Sequence, residues 1–360
     1  MADSASADDV KVVILAGGQG TRFWPMSRTK KPKQFLSISQ SGESLIQSTA
    51  RRVLGLTTKD NFVVMTNIMH KGLINSHLPY ARVICEPMIR NTAPSIGLAA
   101  IHLTQNDKDP VMLVLPADHA VSNEEGLLTA LKEAVNCAAK SEVLVTLGIQ
   151  PVVPHTGYGY IKKGKPLHGN AFNVGRFFEK PNHERAIKYF ESGEFLWNSG
   201  MFAWRASTIL KSIQKFMPEL YDGLIRIKEV IGTAQEASVT SEVFEACESS
   251  SIDFGVLEHA RNCAVIASAP FGWNDVGSWD AWAEHFDKDE NGNLRYGDAV
   301  VIDGKNCVVH SQNRLIAVLG LSDLVVIDAG DAMLVCPRGR VQDVRKVVDE
   351  LQRLKRAELI

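Results

Sequence analysis

The sequence predicts an α/β fold, a mixed but mostly parallel sheet with crossover helices, followed by a small β-coil and a terminal helix. Three observations carry that reading. Short apolar runs at 12–16, 61–66, 111–115 and 144–147 read as buried strands, and helical patterns at 44–54, 95–104 and 125–139 alternate with them. The first strand breaks into a glycine-rich turn, the place where open α/β sheets bind ligands. Near the C-terminus, Val300-Val301-Ile302-Asp303 and Val325-Val326-Ile327-Asp328 recur with a 25-residue offset, a weak repeat that suits stacked β-coils.

Taken in order, residues 1–10 are small and acidic and read as a disordered tail. The strand–helix alternation runs from there to 147. The stretch 151–205 is richer in glycine and short strands, and holds one clear helix at 183–192 that Asn182 caps and Gly193 ends. A helical pattern over 207–260 closes on S-I-D-F-G-V-L-E (251–258). The polar cluster D-K-D-E-N-G-N (287–293) marks a boundary, so a catalytic domain is expected over 11–286 and a β-coil domain with a terminal helix over 287–360. That cluster resembles a calcium loop only superficially, because the glutamate at its twelfth position is missing. In the last segment, 341–358, Val344, Val348, Leu351 and Leu354 share a helical face, expected to dock on its own core; a second copy of the chain, making a homodimer, is the alternative partner.

Composition limits the function classes. The 360 residues, 45% of them hydrophobic, suffice for a large core, and a net charge of −2 argues against broad binding to nucleic acid or a membrane surface. The acidic N-terminus lacks the basic and apolar regions of a secretory signal, and no apolar run is long enough to span a bilayer, so a cytoplasmic location is expected. Six cysteines (85, 137, 247, 263, 307, 336) are scattered without a C-x-x-C pair, which fits small buried residues rather than zinc or disulfides. By length, an added isomerase-sized domain is not expected.

The glycine turn reads as a polyphosphate site. In V-V-I-L-A-G-G-Q-G-T-R (12–22), Gly17, Gly18 and Gly20 let backbone N–H groups approach phosphate oxygens, and Arg22, Lys30, Lys31 and Lys33 supply charge. A Walker A loop needs G-K-[ST], and a dinucleotide fingerprint needs a third glycine opening a helix. Here Trp24-Pro25 and Lys31-Pro32-Lys33 interrupt the chain instead.

L-A-G-G-Q-G-T-R-F-W-P-M-S-R-T-K-K-P-K-Q-F resembles the signature of sugar-nucleotide pyrophosphorylases, and its W-P-x-S-R and P-K-Q-F elements resemble the mannose-1-phosphate guanylyltransferases among them. E-P-M-I-R-N-T-A-P (86–94), P-A-D-H (116–119), T-G-Y-G-Y-I (156–161), F-E-K-P (178–181), W-N-S-G-M-F (197–202) and W-N-D-V-G-S-W (273–279) follow in that family's order. The resemblance implies a GT-A-like, Rossmann-type nucleotidyltransferase that joins GTP and mannose 1-phosphate into GDP-mannose and pyrophosphate with Mg²⁺, for which Mn²⁺ is a substitute. It also implies nucleotide contacts from Leu15, Ala16, Gly17, Gly18, Gly20, Thr21 and Arg22.

Such chemistry brings several negative charges together, so charge neutralisation is the main task. The sugar phosphate oxygen is already ionised and attacks in line, so no protein nucleophile is required. Arg22, Lys33 and a metal are the expected stabilisers of the transition state. Asp118 follows the strand 111–115 directly, a metal ligand's position, and Asp275 is by resemblance its partner. Glu179 and Lys180 are expected, by resemblance, to bind a sugar hydroxyl and the sugar phosphate. Adjacent side chains in a strand point to opposite faces, so the backbone must bend there. Gly157, Tyr158 and Asn198 complete sugar recognition by resemblance. Glu86, Arg90 and Asn91 carry groups suited to guanine, although Thr92-Ala93-Pro94 also reads as a helix start. Two positions depart from the family pattern: His155 stands where glutamate is usual, and Asn274 where serine is common. A guanylyltransferase for another sugar 1-phosphate, such as a heptose, keeps all these motifs. A noncatalytic regulatory relative is the other alternative, against which the retained Arg22, Lys33, Asp118 and Asp275 weigh.

Overall fold

A computed structural model describes residues 9–18, 20–37, 42–105 and 108–360. Gln19 of the glycine turn and residues 1–8 of the expected tail lie outside the described residues; Val10 already opens the first strand. The chain divides into two compact units, one of Met1–Gly17, Thr49–Ala117 and Val121–Trp273, the other of Gly18–Ser48, Asp118–Ala120 and Asn274–Ile360.

The first unit is built on a nine-stranded sheet. Its order is Arg82–Glu86, Phe62–Asn67, Val10–Leu15, Val111–Pro116, Phe195–Arg205, Leu144–Ile149, Cys263–Ala267, Ala171–Phe178 and Tyr160–Pro166. Only Phe195–Arg205 and Ala171–Phe178 run against the common direction. Val12, Val13 and Ile14 are fully buried because their strand lies inside the sheet, paired on both sides. The pairing stays closed to the end of the strand: Ala16 N donates to Met65 O at 2.9 Å, and Ala117 N to Leu15 O at 3.1 Å. Ala16, Gly17 and Ala117 are thereby held at the carboxyl edge.

Local signals place the helices. Asn123 Oδ1 accepts from Gly126 N at 3.0 Å to start Glu124–Lys140, whose first turn is acidic and whose last carries Lys140, matching the helix dipole. Asn182 caps His183–Ser192 through Arg185 N at 3.0 Å, and Gly193 ends it with φ 67°. The expected 95–104 helix starts earlier, as Thr92–Leu103, with Asn91 as its cap and Pro94 inside the first turn, where no N–H is needed. The helical stretch after 205 resolves into Ala206–Phe216, Pro218–Val230 and Glu236–Ala246, then a π-turn at Asp253–Leu257. These helices bury Ile96, Ile213, Leu224 and Phe244 in the unit's main core.

The second unit holds the β-coil. Leu294–Tyr296, Val308–His310 and Leu324–Asp328 stack in parallel, with Met333–Pro337 antiparallel at the end, and Ala299–Ile302 pairs with Ile316–Leu319. Ala299 lies opposite Ile316 and Val308 opposite Val325, a 17-residue rung, while the first rung, with Leu294 opposite Val308, is shorter. The 25-residue spacing is thus not the coil's period, since the two Val-Val-Ile-Asp segments belong to different sheets. The polar cluster at 287–293 is a turn in which Asp289 Oδ1 accepts from Asn291 N and Asn293 N, at 3.0 and 2.9 Å. The terminal helix, Val344–Arg353, buries Val344 and Val348 in one core with Phe23, Trp24, Trp279, Trp282, Val308 and Ile327. Leu354 falls past its end and is exposed.

Candidate active site

Within the second unit, the signature segment is a chain of tight turns pinned from inside. Gly20 adopts the left-handed conformation (φ 62°, ψ 33°) that feeds the 3₁₀ turn Thr21–Phe23. Its carbonyl accepts from Phe23 N at 2.9 Å and from Ser27 Oγ at 2.7 Å. Phe23 packs on Trp279 with ring centroids 4.9 Å apart, Trp279 Nε1 donates to Trp24 O at 3.2 Å, and Trp24 Nε1 to Leu359 O at 2.7 Å. On this scaffold Arg22 is exposed, with Nη1 donating to Gln342 Oε1 at 3.1 Å.

Lys33 behaves differently from the other basic residues of the segment. Its side chain is 6% exposed, and its ammonium donates to Asp118 Oδ2 at 2.9 Å and to Asp275 O at 2.6 Å. Burial would push the Asp118 carboxyl up, but the Lys33 charge, the His119 charge and the Lys33 hydrogen bond outweigh it and hold the carboxyl below its ordinary range. Asp275 Oδ1 accepts from Gly277 N at 3.2 Å, which fixes its turn. The structure thus gathers Lys33, Asp118 and Asp275, far apart in sequence, around one ammonium. Asn274 braces the same turn, accepting from Val276 N at 2.7 Å and donating to Glu284 Oε2 at 2.9 Å.

Among the described residues no group of three or more His, Cys, Asp or Glu side chains is placed to hold a metal. Two carboxylates nonetheless suit Mg²⁺, which takes one or two from protein and completes its shell with water and phosphate oxygens. Asp118 Oδ2 and the Asp275 carboxyl are hard oxygen donors of that kind.

The first unit carries the remaining candidates in two groups. At the glycine strand, Leu15 and Gly17 are half-buried and Ala16 is buried; a Cβ on Gly17 would lie 3.5 Å from Glu86 Oε2. Burial raises the Glu86 carboxyl to about 7, against a hydrogen bond with Ser95 that lowers it. Arg90 donates from Nε to Phe244 O at 2.6 Å and from Nη2 to Glu245 O at 3.0 Å, closing the last turn of Glu236–Ala246, and Asn91 Oδ1 accepts from Thr92 N at 2.9 Å. Two of the three residues suited to guanine therefore do visible structural work.

The other group surrounds Asn198 on the strand Phe195–Arg205. A register irregularity against Leu144–Ile149, with Gly148 opposite Asn198, sets this side chain apart from the ladder. Asn198 N donates to Gly159 O at 2.8 Å, which ties it to the Gly157-Tyr158-Gly159 turn. Tyr158 lies edge-on to Trp197 and Trp273, centroids 5.0 and 5.1 Å away, and stacks on His155 at 4.1 Å. His155 folds back onto its own loop, its Nδ1 accepting from Gly157 N at 3.1 Å. The bend expected at Glu179-Lys180 falls on Lys180 itself, with φ 40°, and brings Lys180 Nζ to 2.7 Å from Glu179 Oε1. Sequence reasoning missed Asp253, whose Oδ1 accepts from Asn198 Nδ2 at 2.8 Å. The available signal was the Asp253 carboxylate set between Ile252 and Phe254 in the largely apolar segment S-I-D-F-G-V-L-E.

The family model for nucleotidyl transferases matches residues 11–292, and that for a MannoseP isomerase/GMP-like β-helix domain matches 297–351. The chain belongs to the nucleotidyl transferase family. This nucleotidyltransferase is 40% identical over 355 residues to a mannose-1-phosphate guanylyltransferase of Klebsiella pneumoniae, covering 96% of the chain and 74% of that relative. It is 39% identical over 357 residues to the alginate biosynthesis protein AlgA of Pseudomonas fluorescens, covering 96% and 72%. A crystal structure from Thermus thermophilus, described as mannose-1-phosphate geranyltransferase, superposes with a TM-score of 0.87 at 32% identity over 96% of this chain and 99% of that one. Nucleotidyltransferases of this family generally use a divalent metal. No helix among the described residues of this nucleotidyltransferase is long and apolar enough to cross a membrane.

Proposed function

We propose that the chain transfers GMP from GTP to α-D-mannose 1-phosphate, giving GDP-mannose and pyrophosphate. The observation that carries the chemistry is the buried Lys33 ammonium holding the Asp118 carboxylate and the Asp275 backbone together. A sugar phosphate oxygen attacks the α-phosphorus of GTP in line, forming one P–O bond as the bond to pyrophosphate breaks. No proton has to be removed from the nucleophile, and this chain's residues act by position and charge. The backbone at Leu15–Gly18, Gly20 and Thr21 cradles the triphosphate, while Arg22 and Lys33 meet the charge that develops on the transferring phosphoryl group. Asp118 and Asp275 would hold Mg²⁺, or Mn²⁺ in its place, and the bound ion would supply neutralisation of phosphate charge. Glu179, Lys180, Asn198, Gly157 and Tyr158 take the sugar 1-phosphate, and Glu86 lines the guanine side, with Arg90 and Asn91 bracing the backbone next to it.

Mannose is favoured over another sugar by the named relatives at about 40% identity, from which the choice of GTP and mannose 1-phosphate is drawn. The test is pyrophosphate release measured over four nucleoside triphosphates crossed with several sugar 1-phosphates, each with and without EDTA. GTP with mannose 1-phosphate is expected to be the preferred pair and EDTA to abolish turnover. Comparable rates with dTTP and glucose 1-phosphate would overturn the assignment.

A further inference from the structure

The carboxyl of Asp253 sits where the sugar-phosphate candidates converge, and no role has yet been given to it. It opens the π-turn Asp253–Leu257, a rare backbone form that recurs at functional sites. Its Oδ1 accepts from Asn198 Nδ2 at 2.8 Å. The far side of the same amide is also occupied, since Asn198 Oδ1 accepts from Thr146 Oγ1 at 2.8 Å and from Gly200 N at 3.3 Å. An amide has two N–H hydrogens and one carbonyl oxygen. With the oxygen taken by Thr146 and Gly200 and one hydrogen by Asp253, Asn198 keeps a single N–H to present. Its recognition is thereby restricted to an acceptor, such as the oxygen of a sugar hydroxyl.

We propose that Asp253 is a positioning residue for the sugar 1-phosphate: by accepting from Asn198 it fixes the amide so that its remaining N–H points as a donor to one hydroxyl oxygen of the pyranose. The inference rests on the sugar-phosphate reading of Asn198, Glu179 and Lys180 given above. The charges around Asp253 fit the role. Burial raises its carboxyl to about 7, the Glu179 charge adds to that, and the Asn198 hydrogen bond and the Lys180 ammonium oppose it. Glu258 Oε1 accepts from Glu179 N at 3.2 Å, which fixes the backbone of Glu179 next to the same turn. In either protonation state Asp253 retains a lone pair for Asn198, so the lock survives across neutral pH.

The experiment compares Asp253→Leu with Asp253→Asn in the full chain, measuring KM for each substrate, kcat and thermal unfolding. Leucine approximates the volume but accepts no hydrogen bond, whereas asparagine keeps an acceptor oxygen. Asp253→Leu is expected to raise KM for the preferred sugar 1-phosphate by roughly tenfold, the scale of one lost contact, with KM for the nucleotide unchanged. Asp253→Asn is expected to restore most of that loss. Thr146→Val, which releases the other side of the amide, should raise the same KM in the same direction. In an Asn198→Ala background, Asp253→Leu should have no further effect on KM. Equal KM values in Asp253→Leu and Asp253→Asn, or a full additional loss in the Asn198→Ala background, would overturn the proposal. If Asp253→Leu fails to fold, Thr146→Val alone and in the Asn198→Ala background carries the decision: a raised KM in the first and no further rise in the second support the proposal, and any other result overturns it. A parent enzyme releasing no pyrophosphate with any sugar 1-phosphate would instead overturn the functional reading itself, so the two failures are separable.

Discussion

Replacing Lys33 by methionine keeps most of the aliphatic stem and deletes the ammonium that holds Asp118 Oδ2 at 2.9 Å and Asp275 O at 2.6 Å. Each hydrogen bond from a charged donor contributes about 1.5–3 kcal/mol. Asp118 keeps 36% of its side chain exposed, so water recovers part of what it loses, and a destabilisation of about 1–2 kcal/mol is expected rather than the sum. The effect on turnover is larger, because the ammonium also stabilises charge in the transition state: kcat should fall by roughly 10²–10³. Urea unfolding and steady-state pyrophosphate release measure the two effects. Gly20→Ala probes the same geometry without touching the charge. Its new Cβ would lie 2.4 Å from Lys33 Cβ, and its φ of 62° disfavours any side chain, so Lys33 has to move. Its kcat should fall by at least roughly tenfold, in line with a displaced catalytic group. A Lys33→Met enzyme turning over within roughly threefold of the parent would refute the reasoning, since the buried ammonium would then be structural alone.

Asp118→Asn and Asp275→Asn should each lower kcat by roughly a hundredfold or more, and the double variant by far less than the product, because residues acting through one ion fail together. Full multiplicativity in single-turnover rates would separate the two carboxylates. Lys180→Met should raise KM for mannose 1-phosphate by roughly ten- to a hundredfold with GTP affinity unchanged, whereas Arg22→Met should chiefly lower kcat. Direct titration of each variant with each substrate decides this, and weaker GTP binding by Lys180→Met would reverse the placement of the substrates. Glu86 supplies a pH test. Its folded carboxyl sits at about 7 against 4.5 when unfolded, so between those values the folded state binds more protons and stability falls as pH rises, by about 3 kcal/mol in all. Glu86→Gln should remove that decline from urea unfolding measured between pH 4.5 and 7, and an unchanged slope would show the carboxyl to be unperturbed.

What was legible in the sequence was what short stretches decide by themselves. The strand at Val10–Leu15 and its glycine turn announce themselves by an apolar run and a loss of Cβ atoms, and the helix His183–Ser192 by a cap and a stop. What depends on distant partners was not legible. A lysine in P-K-Q-F gives no sign that it is buried, because the cause lies at Asp118 and Asp275. Arg90 looks free to read a base until the carbonyls of Phe244 and Glu245 are seen to take its guanidinium. The coil's rung stayed hidden because the similar segments at 300–303 and 325–328 pair elsewhere, with Ile316–Leu319 and Val308–His310. Asp253 is the same case: its meaning comes from Thr146 and Asn198, residues of other strands.

The core that shelters Phe23 and Trp24 is closed by Val341, Val344 and Val348. During synthesis these two aromatic residues leave the ribosome more than three hundred residues before the valines that cover them, at about 5–20 residues per second. Every strand of the large sheet except the first, Val10–Leu15, emerges in the interval, the last ending at Ala267. The segment that begins this protein's chemistry is consequently among the last to acquire its permanent surroundings. A nascent or prematurely terminated chain can carry the complete glycine turn, Arg22 and Lys33, and still lack the packing that gives them a fixed shape. Until residues 341–348 are made, Phe23 and Trp24 lack the valines that help to cover them.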